Sequence, residues 1–227
     1  MPGSSSVIVA HRGLHPLFPE NSLAAFRAAW DAGLVWCECD IHLSADGIPV
    51  VIHDDTLERT TTGHCRVADF SASQLSSLKL LDADGKPTNH SLPLLEEILE
   101  QMPGHALMMV EPKPPLGDRI LPIARRLQEA GGMLHSFHQD DMELADRATD
   151  HRLPCAVLAE TADDVRSELQ RLHLNFELLD SASLVHLRNA GKKIGIWTVN
   201  DIEAIRSFAK LGIEMIITDI PLAIDLR

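Results

Sequence analysis

Short apolar runs rich in β-branched residues alternate with longer segments of helical period along almost the whole chain. Val7-Ile8-Val9-Ala10 reads as a first buried strand, and Asn21-Ser22 as the cap of a helix over Leu23 to Trp30 that ends at Gly33. Leu34 to Asp40 is the second strand and Ala106 to Val110 the third, followed by a helix from Asp118 to Ala130 closed by Gly131-Gly132. Met133 to Phe137 is the fourth strand, with a short helix over Gln139 to Ala148, and Cys155 to Ala159 the fifth, with Thr161 capping a helix to Leu172. His173 to Phe176 is the sixth, followed by a helix from Ser181 to Ala190 that Gly191 stops. Lys193 to Val199 is the seventh, followed by a helix from Asp201 to Leu211, and Ile213 to Thr218 the eighth. Strand–helix repeats imply parallel strands with crossover helices, and eight is the number that closes a (β/α)8 TIM barrel. An open doubly wound sheet is the alternative, but no Gly-x-Gly-x-x-Gly follows the first strand.

Two departures from this rhythm matter. After Asp40, Ser44-Ala45-Asp46-Gly47 carries the Asp-Gly signature of a tight hairpin, and Ile48 to Ile52 runs back as an extra strand. With Asp46-Gly47 as a two-residue turn, paired positions sum to about 93, which sets His53 opposite Asp40. The stretch from Thr56 to Gly104, rich in Ser, Asp and Gly with a helix near Leu94 to Gln101, is too long for an ordinary connection. It reads as a small insertion, 56–104, within a single domain over 1–227.

Composition narrows the function classes. Apolar residues make up 45% of the 227, enough for a full core. A formal charge of −13 argues against an extended nucleic-acid or anionic-membrane surface. It leaves room for a small anionic substrate, because salt screens distant charges beyond about 8–10 Å. The first six residues have no basic region or apolar run of a secretory signal, and no stretch reaches the ~20 apolar residues that span a bilayer. Four cysteines, Cys37, Cys39, Cys65 and Cys155, then suit reduced thiols in a cytoplasmic protein. Cys37-x-Cys39 with His64-Cys65 matches no familiar zinc spacing and reads as apolar backing of a strand.

In a strand side chains alternate faces, so Glu38 and Asp40 share one face and Cys37 and Cys39 the other. Two carboxylates on one face of an apolar strand repel each other, so a cation should sit between them. Barrel chemistry collects at the C-terminal ends of strands. Those ends carry His11-Arg12, Glu38 and Asp40, Glu111 and Lys113, Ser136, Trp197 and Asp219, with His53 added by the hairpin. Singly, each reads as ordinary: a solvated acid at a strand end, a satisfied histidine, a Trp in the core. Three inward carboxylates reverse that reading, since burying each unpaired would cost several kcal/mol.

The ordered set His11-Arg12-Gly13, Pro19-Glu20-Asn21-Ser22, Glu38-x-Asp40, Asp46-Gly47 with His53-Asp54, Arg59-Thr60-Thr61 with Gly63, Glu111-x-Lys113, Ser136-Phe137, Trp197-Thr198-Val199-Asn200 and Thr218-Asp219-x-Pro221 resembles the glycerophosphodiester phosphodiesterase family. The match runs from Val7 to Pro221 and looks most like the cytosolic bacterial members. Two features depart from the pattern: His138 follows Ser136-Phe137, and the stretch between Phe137 and Cys155 is short.

The resemblance implies a (β/α)8 barrel with a small insertion, and a divalent metal held by Glu38, Asp40 and Glu111. It implies that His11 and His53 are the acid–base pair, that Arg12 and Lys113 hold phosphate, that Trp197 packs against substrate, and that Glu20 orients its neighbours. An all-oxygen ligand set suits Mg²⁺ or Ca²⁺, with Mn²⁺ as a third choice, over Zn²⁺. The expected reaction is hydrolysis of a glycerophosphodiester, a small-molecule substrate, to sn-glycerol 3-phosphate and an alcohol. Which histidine is the acid stays open, as do the alcohol and the oligomeric state. A lysophospholipase D and a non-catalytic phosphate-binding barrel are the alternatives.

Overall fold

The architecture comes from a computed structural model, which describes residues 6–161, 164–165 and 168–223. The chain packs as two compact units, Ala10–Pro114 and Met1–Val9 with Pro115–Arg227.

The first unit follows β1 (Val7–Ala10) with α1 (Leu23–Asp31), β2 (Trp36–Leu43), β3 (Pro49–Val51), α2 (Ala72–Ser76), β4 (Lys79–Leu81), β5 (Pro87–Ser91), α3 (Leu95–Gln101) and β6 (Leu107–Pro112). Ser22 caps α1, its hydroxyl accepting from the Ala25 N–H. β2 and β6 pair in parallel, with Glu38 beside Met109 and Asp40 beside Glu111. Residues side by side in a parallel pair share a face, so Glu38, Asp40 and Glu111 form a triangle on one surface. β2 runs three residues beyond Asp40, because Ile41 to Leu43 also pair with the antiparallel β3.

That pairing corrects the register expected for His53. Ile41 faces Val51 and His42 faces Val50, and the Ile52 N–H donates to the Asp40 carbonyl at 3.0 Å, so Ile52, not His53, stands opposite Asp40. The turn holds three residues instead of two: Ser44 and Ile48 close it (N–O 3.0 Å), with Gly47 in the left-handed region at φ 80°. Asp46 is drawn off the turn tip, since its Oδ1 accepts from the Ser44 hydroxyl and the Ala72 N–H. His53 follows the strand on a bend. The insertion packs on the β3 segment around an apolar cluster of Val50, Ile52, Leu57, Val67, Leu75, Leu80 and Leu92.

The second unit carries α4 (Ile120–Ala130), β7 (Met133–Ser136), α5 (Gln139–Ala148), β8 (Cys155–Ala159), β9 (Arg171–Asn175), α6 (Ser181–Asn189), β10 (Lys193–Trp197), α7 (Ile202–Lys210) and β11 (Met215–Thr218). Its strands lie in the order β1-β11-β10-β9-β8-β7, and β8, β9, β10 and β11 are parallel neighbours. Gly131 ends α4 in the left-handed conformation at φ 84°. The core is made by Val157, Leu172, Leu174, Ile194, Ile196 and Ile216 with the inward faces of α6 and α7.

One expected helix is replaced. The segment from Thr161 to Leu172 is not α-helical among its described residues, and 162–163 and 166–167 lie outside them. Arg171 and Leu172 belong instead to β9, paired with Ala156 and Val157. Tertiary pairing has overridden the helical pattern. With β1, β2 and β6 to β11 the chain has the eight parallel strands of the (β/α)8 class.

Candidate active site

The site residues of the first unit grow from two loops and the β2–β6 pair. After β1 the chain reverses sharply: Arg12 and Gly13 both take positive φ, 53° and 79°. A Cβ on Gly13 would meet Ala25 at 2.8 Å, so only glycine lets this loop lie against α1. Asn21, at φ 56°, closes the loop, its N–H donating to the Arg12 carbonyl at 3.1 Å. Its side chain donates to Asp40 Oδ2 at 2.9 Å.

The reversal aims Arg12 at both acids of β2. The Arg12 N–H donates to Glu38 Oε2 at 3.2 Å, and its Nε lies 3.1 Å from Asp40 Oδ2. Lys113 Nζ bridges Glu111 Oε1 at 2.8 Å and Asp40 Oδ1 at 3.5 Å. The cations expected between the carboxylates are therefore present. Glu38 and Asp40 are each 1% exposed and Glu111 8%. Burial pushes the Asp40 carboxyl up, but Arg12, then Lys113 and His53, outweigh it and hold it below the usual carboxylate range. Burial likewise opposes the charge on Arg12 and Lys113, and the surrounding carboxylates, Asp40 foremost, raise both.

His11 Nε2 lies 3.9 Å from Glu38 Oε2. His53 Nδ1 lies 2.7 Å from Asp54 Oδ1, and the His53 carbonyl contacts His42 Nε2 at 3.0 Å. Asp54 is held down to about 2, first by hydrogen bonds from Arg59, against a burial penalty, and then by His53. Glu20 accepts from Arg12 Nη1 at 3.0 Å and from Arg59 Nη1 at 2.8 Å, and these cations outweigh its burial and lower its pKa. Asp54 and Arg59 were visible in the sequence only as parts of motifs, with no role attached, and Asn21 only as part of a motif and of a helix cap.

The remaining candidates belong to the second unit. Trp197 ends β10, donates from Nε1 to the His173 carbonyl at 3.0 Å and packs edge-on against Phe137 at 5.7 Å. Asp219 follows β11 and is held by Asn200, with Nδ2–Oδ2 at 2.6 Å. Ser136 ends β7, its hydroxyl accepting from the His138 N–H at 3.2 Å. Cys37 and Cys39, on the far side of β2, are fully buried, and burial pushes the Cys37 thiol up to about 12. They serve as apolar backing.

The acids suit a divalent cation. Oxygens that ligate a common Ca²⁺ lie about 2.3–2.6 Å from it. One carboxylate oxygen each of Glu38 and Glu111 lie within 4.8 Å of one another, a separation an ion can bridge. Asp40 Oδ1 is buried and, among the described residues, accepts no hydrogen bond, with Lys113 Nζ standing off at 3.5 Å.

Comparison with known proteins sets the class of this chain, a phosphoric diester hydrolase. The family profile described as Glycerophosphoryl diester phosphodiesterase family matches residues 11–223, and the chain belongs to that family. Glycerophosphodiester phosphodiesterase of Caldanaerobacter subterraneus subsp. tengcongensis is 28% identical over 95% of each chain. Glycerophosphodiester phosphodiesterase from Agrobacterium tumefaciens str. C58 superposes at TM-score 0.78, with 24% identity over 95% of this chain and 97% of that one. An Oleispira antarctica phosphodiesterase, solved with the product sn-glycerol-3-phosphate, superposes at 0.80 with 22% identity over 96% and 95%. The fold is the (β/α)8 TIM barrel of these neighbours.

Proposed function

We propose that the chain hydrolyses glycerophosphodiesters to sn-glycerol 3-phosphate and an alcohol, using His11 and His53 as acid and base and a divalent cation, Mg²⁺, Ca²⁺ or Mn²⁺, held by Glu38, Asp40 and Glu111. The observation that carries the reading is the interlocked set in which Lys113 bridges Asp40 and Glu111 while Arg12 contacts Glu38 and Asp40. Family membership and the product held by the Oleispira relative support the substrate class.

Charge explains why these groups occur together. Three carboxylates against two cations leave one negative charge, which would repel a phosphodiester monoanion. Glu38, Asp40 and Glu111 would hold a divalent cation that turns that excess positive and supplies Lewis-acid stabilisation of the phosphate charge. Arg12 and Lys113 then hold the other oxygens, and both stay protonated because the acids raise their pKa values. Attack and departure each need a proton moved, one from the nucleophile and one to the leaving alcohol. Imidazoles titrate near neutral pH and can do both. With its Nδ1 tied to Asp54, His53 has Nε2 as the nitrogen for this exchange. Trp197 offers an aromatic wall for the glycerol or alcohol carbons.

The same reading takes residues 1–227 as one catalytic domain, supported by a family profile that spans 11–223. It takes the setting as cytoplasmic, supported by the free thiols of Cys37, Cys39 and Cys155. Among the described residues no helix is long and apolar enough to cross a membrane.

The test is release of sn-glycerol 3-phosphate from glycerophosphocholine, glycerophosphoethanolamine, glycerophosphoglycerol and glycerophosphoinositol in Mg²⁺, Ca²⁺ or Mn²⁺. Turnover that EDTA stops and added metal restores is the expected result. No product from any of the four, or full activity in EDTA, overturns the reading.

A further inference from the structure

Arg59 lies in the insertion, outside the set of ligands and acid–base groups, yet its guanidinium joins two arms of that set. Nη1 and Nη2 donate to Glu20 Oε2 and Oε1 at 2.8 and 2.9 Å, a two-pronged pair. Nε and Nη2 donate to Asp54 Oδ2 and Oδ1 at 2.5 and 3.0 Å, a second one. Each carboxylate continues inward. Asp54 Oδ1 reaches His53 Nδ1 at 2.7 Å, and Glu20 Oε1 takes Arg12 Nη1 at 3.0 Å.

We infer that Arg59 is a positioning residue that fixes the His53 imidazole and the Arg12 guanidinium relative to one another, through Asp54 on one arm and Glu20 on the other. The inference rests on the roles proposed above for His53 and Arg12. An isolated surface ion pair contributes little to stability and would orient little. Here a planar cation meets two carboxylates edge to edge, so both are held in direction as well as in charge. The base of the clamp is firm. The turn bearing Arg59 is pinned by the Thr61 hydroxyl on the Leu57 carbonyl at 2.7 Å, and Leu57 and Thr61 are 1% and 2% exposed. Through Arg59 the insertion therefore sets the alignment of a proton-transfer group and a phosphate-holding group.

Lysine cannot replace it. An ammonium is a point charge on a flexible stem and cannot fill two forks in one plane. Small misalignments in a site cost large factors in rate, so Arg59→Ala is expected to lower kcat/KM roughly 10–100-fold. Two components should separate: a fall in kcat through the His53 arm and a rise in KM through the Arg12 arm.

The experiment measures steady-state kinetics on glycerophosphocholine for wild type, Arg59→Ala, Arg59→Lys, Asp54→Asn, Glu20→Gln and the two double variants containing Arg59→Ala. Thermal melting confirms that each folds. Effects of Arg59→Ala and Asp54→Asn should be less than additive in kcat, and those of Arg59→Ala and Glu20→Gln less than additive in KM. Guanidinium at tens of millimolar should restore part of the Arg59→Ala activity and none of that lost in His53→Ala. Arg59→Lys should stay close to Arg59→Ala. A folded Arg59→Ala or Arg59→Lys enzyme within about twofold of wild type, or additive effects in both cycles, overturns the inference while leaving the proposed reaction standing. A wild-type enzyme that turns over no diester overturns both.

Discussion

Two pairs of histidines, one in each unit, show how surroundings and not residue type assign chemistry. His135 and His173, on β7 and β9, bring their Nδ1 atoms to 3.2 Å and are 2% and 1% exposed. Burial first, then His135 and Arg171, lower the pKa of His173 far below the usual imidazole value, so it stays neutral. His11 and His53 are only half-buried, and each lies by a carboxylate, Glu38 at 3.9 Å and Asp54 at 2.7 Å. A group that moves protons needs access and a neighbour that stabilises its charged form. His11 and His53 have that access and a carboxylate beside each, while His173 has been turned into core.

The sharpest way to break this contrast is to remove one member of each pair. His53→Ala or His11→Ala is expected to lower kcat by roughly 10²–10⁴-fold with the melting temperature little changed. His173→Leu should do the reverse, losing stability while keeping kcat on the wild-type order. Steady-state kinetics beside thermal denaturation read both. Wild-type turnover in His53→Ala would erase the distinction drawn here.

The sequence already separated much of this, for reasons that differ by residue. Glu38-x-Asp40 was legible because strand periodicity is strictly two, and Glu111-x-Lys113 followed once the third strand was located. Gly131 and Gly191 marked helix ends because both backbones take positive φ. The register at His53 was missed by one residue, since Asp-Gly fits both a two-residue turn and a three-residue loop closed by a left-handed glycine. The helix expected across Thr161 to Leu172 failed where strand pairing with β8 outweighed local pattern. Arg59 and Glu20 stand 39 positions apart, and no periodicity links two charges that meet only through tertiary folding. The His135–His173 pair was hidden likewise, because twelve histidines in one chain give no spacing signal.

A smaller and more local effect is expected at Gly195 of β10. A Cβ there would lie 2.5 Å from His173 Cδ2 and 2.9 Å from Nε2. The imidazole is fully buried, so it has little room to retreat. Overpacking of this kind costs about 1–3 kcal/mol, and Gly195→Ala should melt correspondingly lower. The comparison predicts that pairing it with His173→Asn, which shortens the opposing side chain, recovers part of the loss. Equal melting of Gly195→Ala and wild type would show that the buried pair is loosely packed after all.

The finest discrimination comes from the pH dependence of stability. The folded-state pKa of His173 is depressed, so the unfolded chain binds a proton near its ordinary value of about 6.5 while the folded chain does not. Its contribution is therefore complete above that pH and is lost as pH falls below it, with a slope of at most about 1.4 kcal/mol per pH unit. His42 acts with the same sign, its pKa lowered chiefly by burial. Asp54 works in a separate window. Its pKa is brought from 3.8 to about 2, so its contribution is present above the former and disappears as pH falls toward the latter. Urea denaturation midpoints across pH should consequently fall in two stages. His173→Leu should flatten the stage below about 6.5 and leave the acid stage alone, whereas Asp54→Asn should do the opposite. If His173→Leu keeps the wild-type slope between these windows, the interior imidazole already takes up its proton in the folded state, and the two histidine pairs are less different than their surroundings imply.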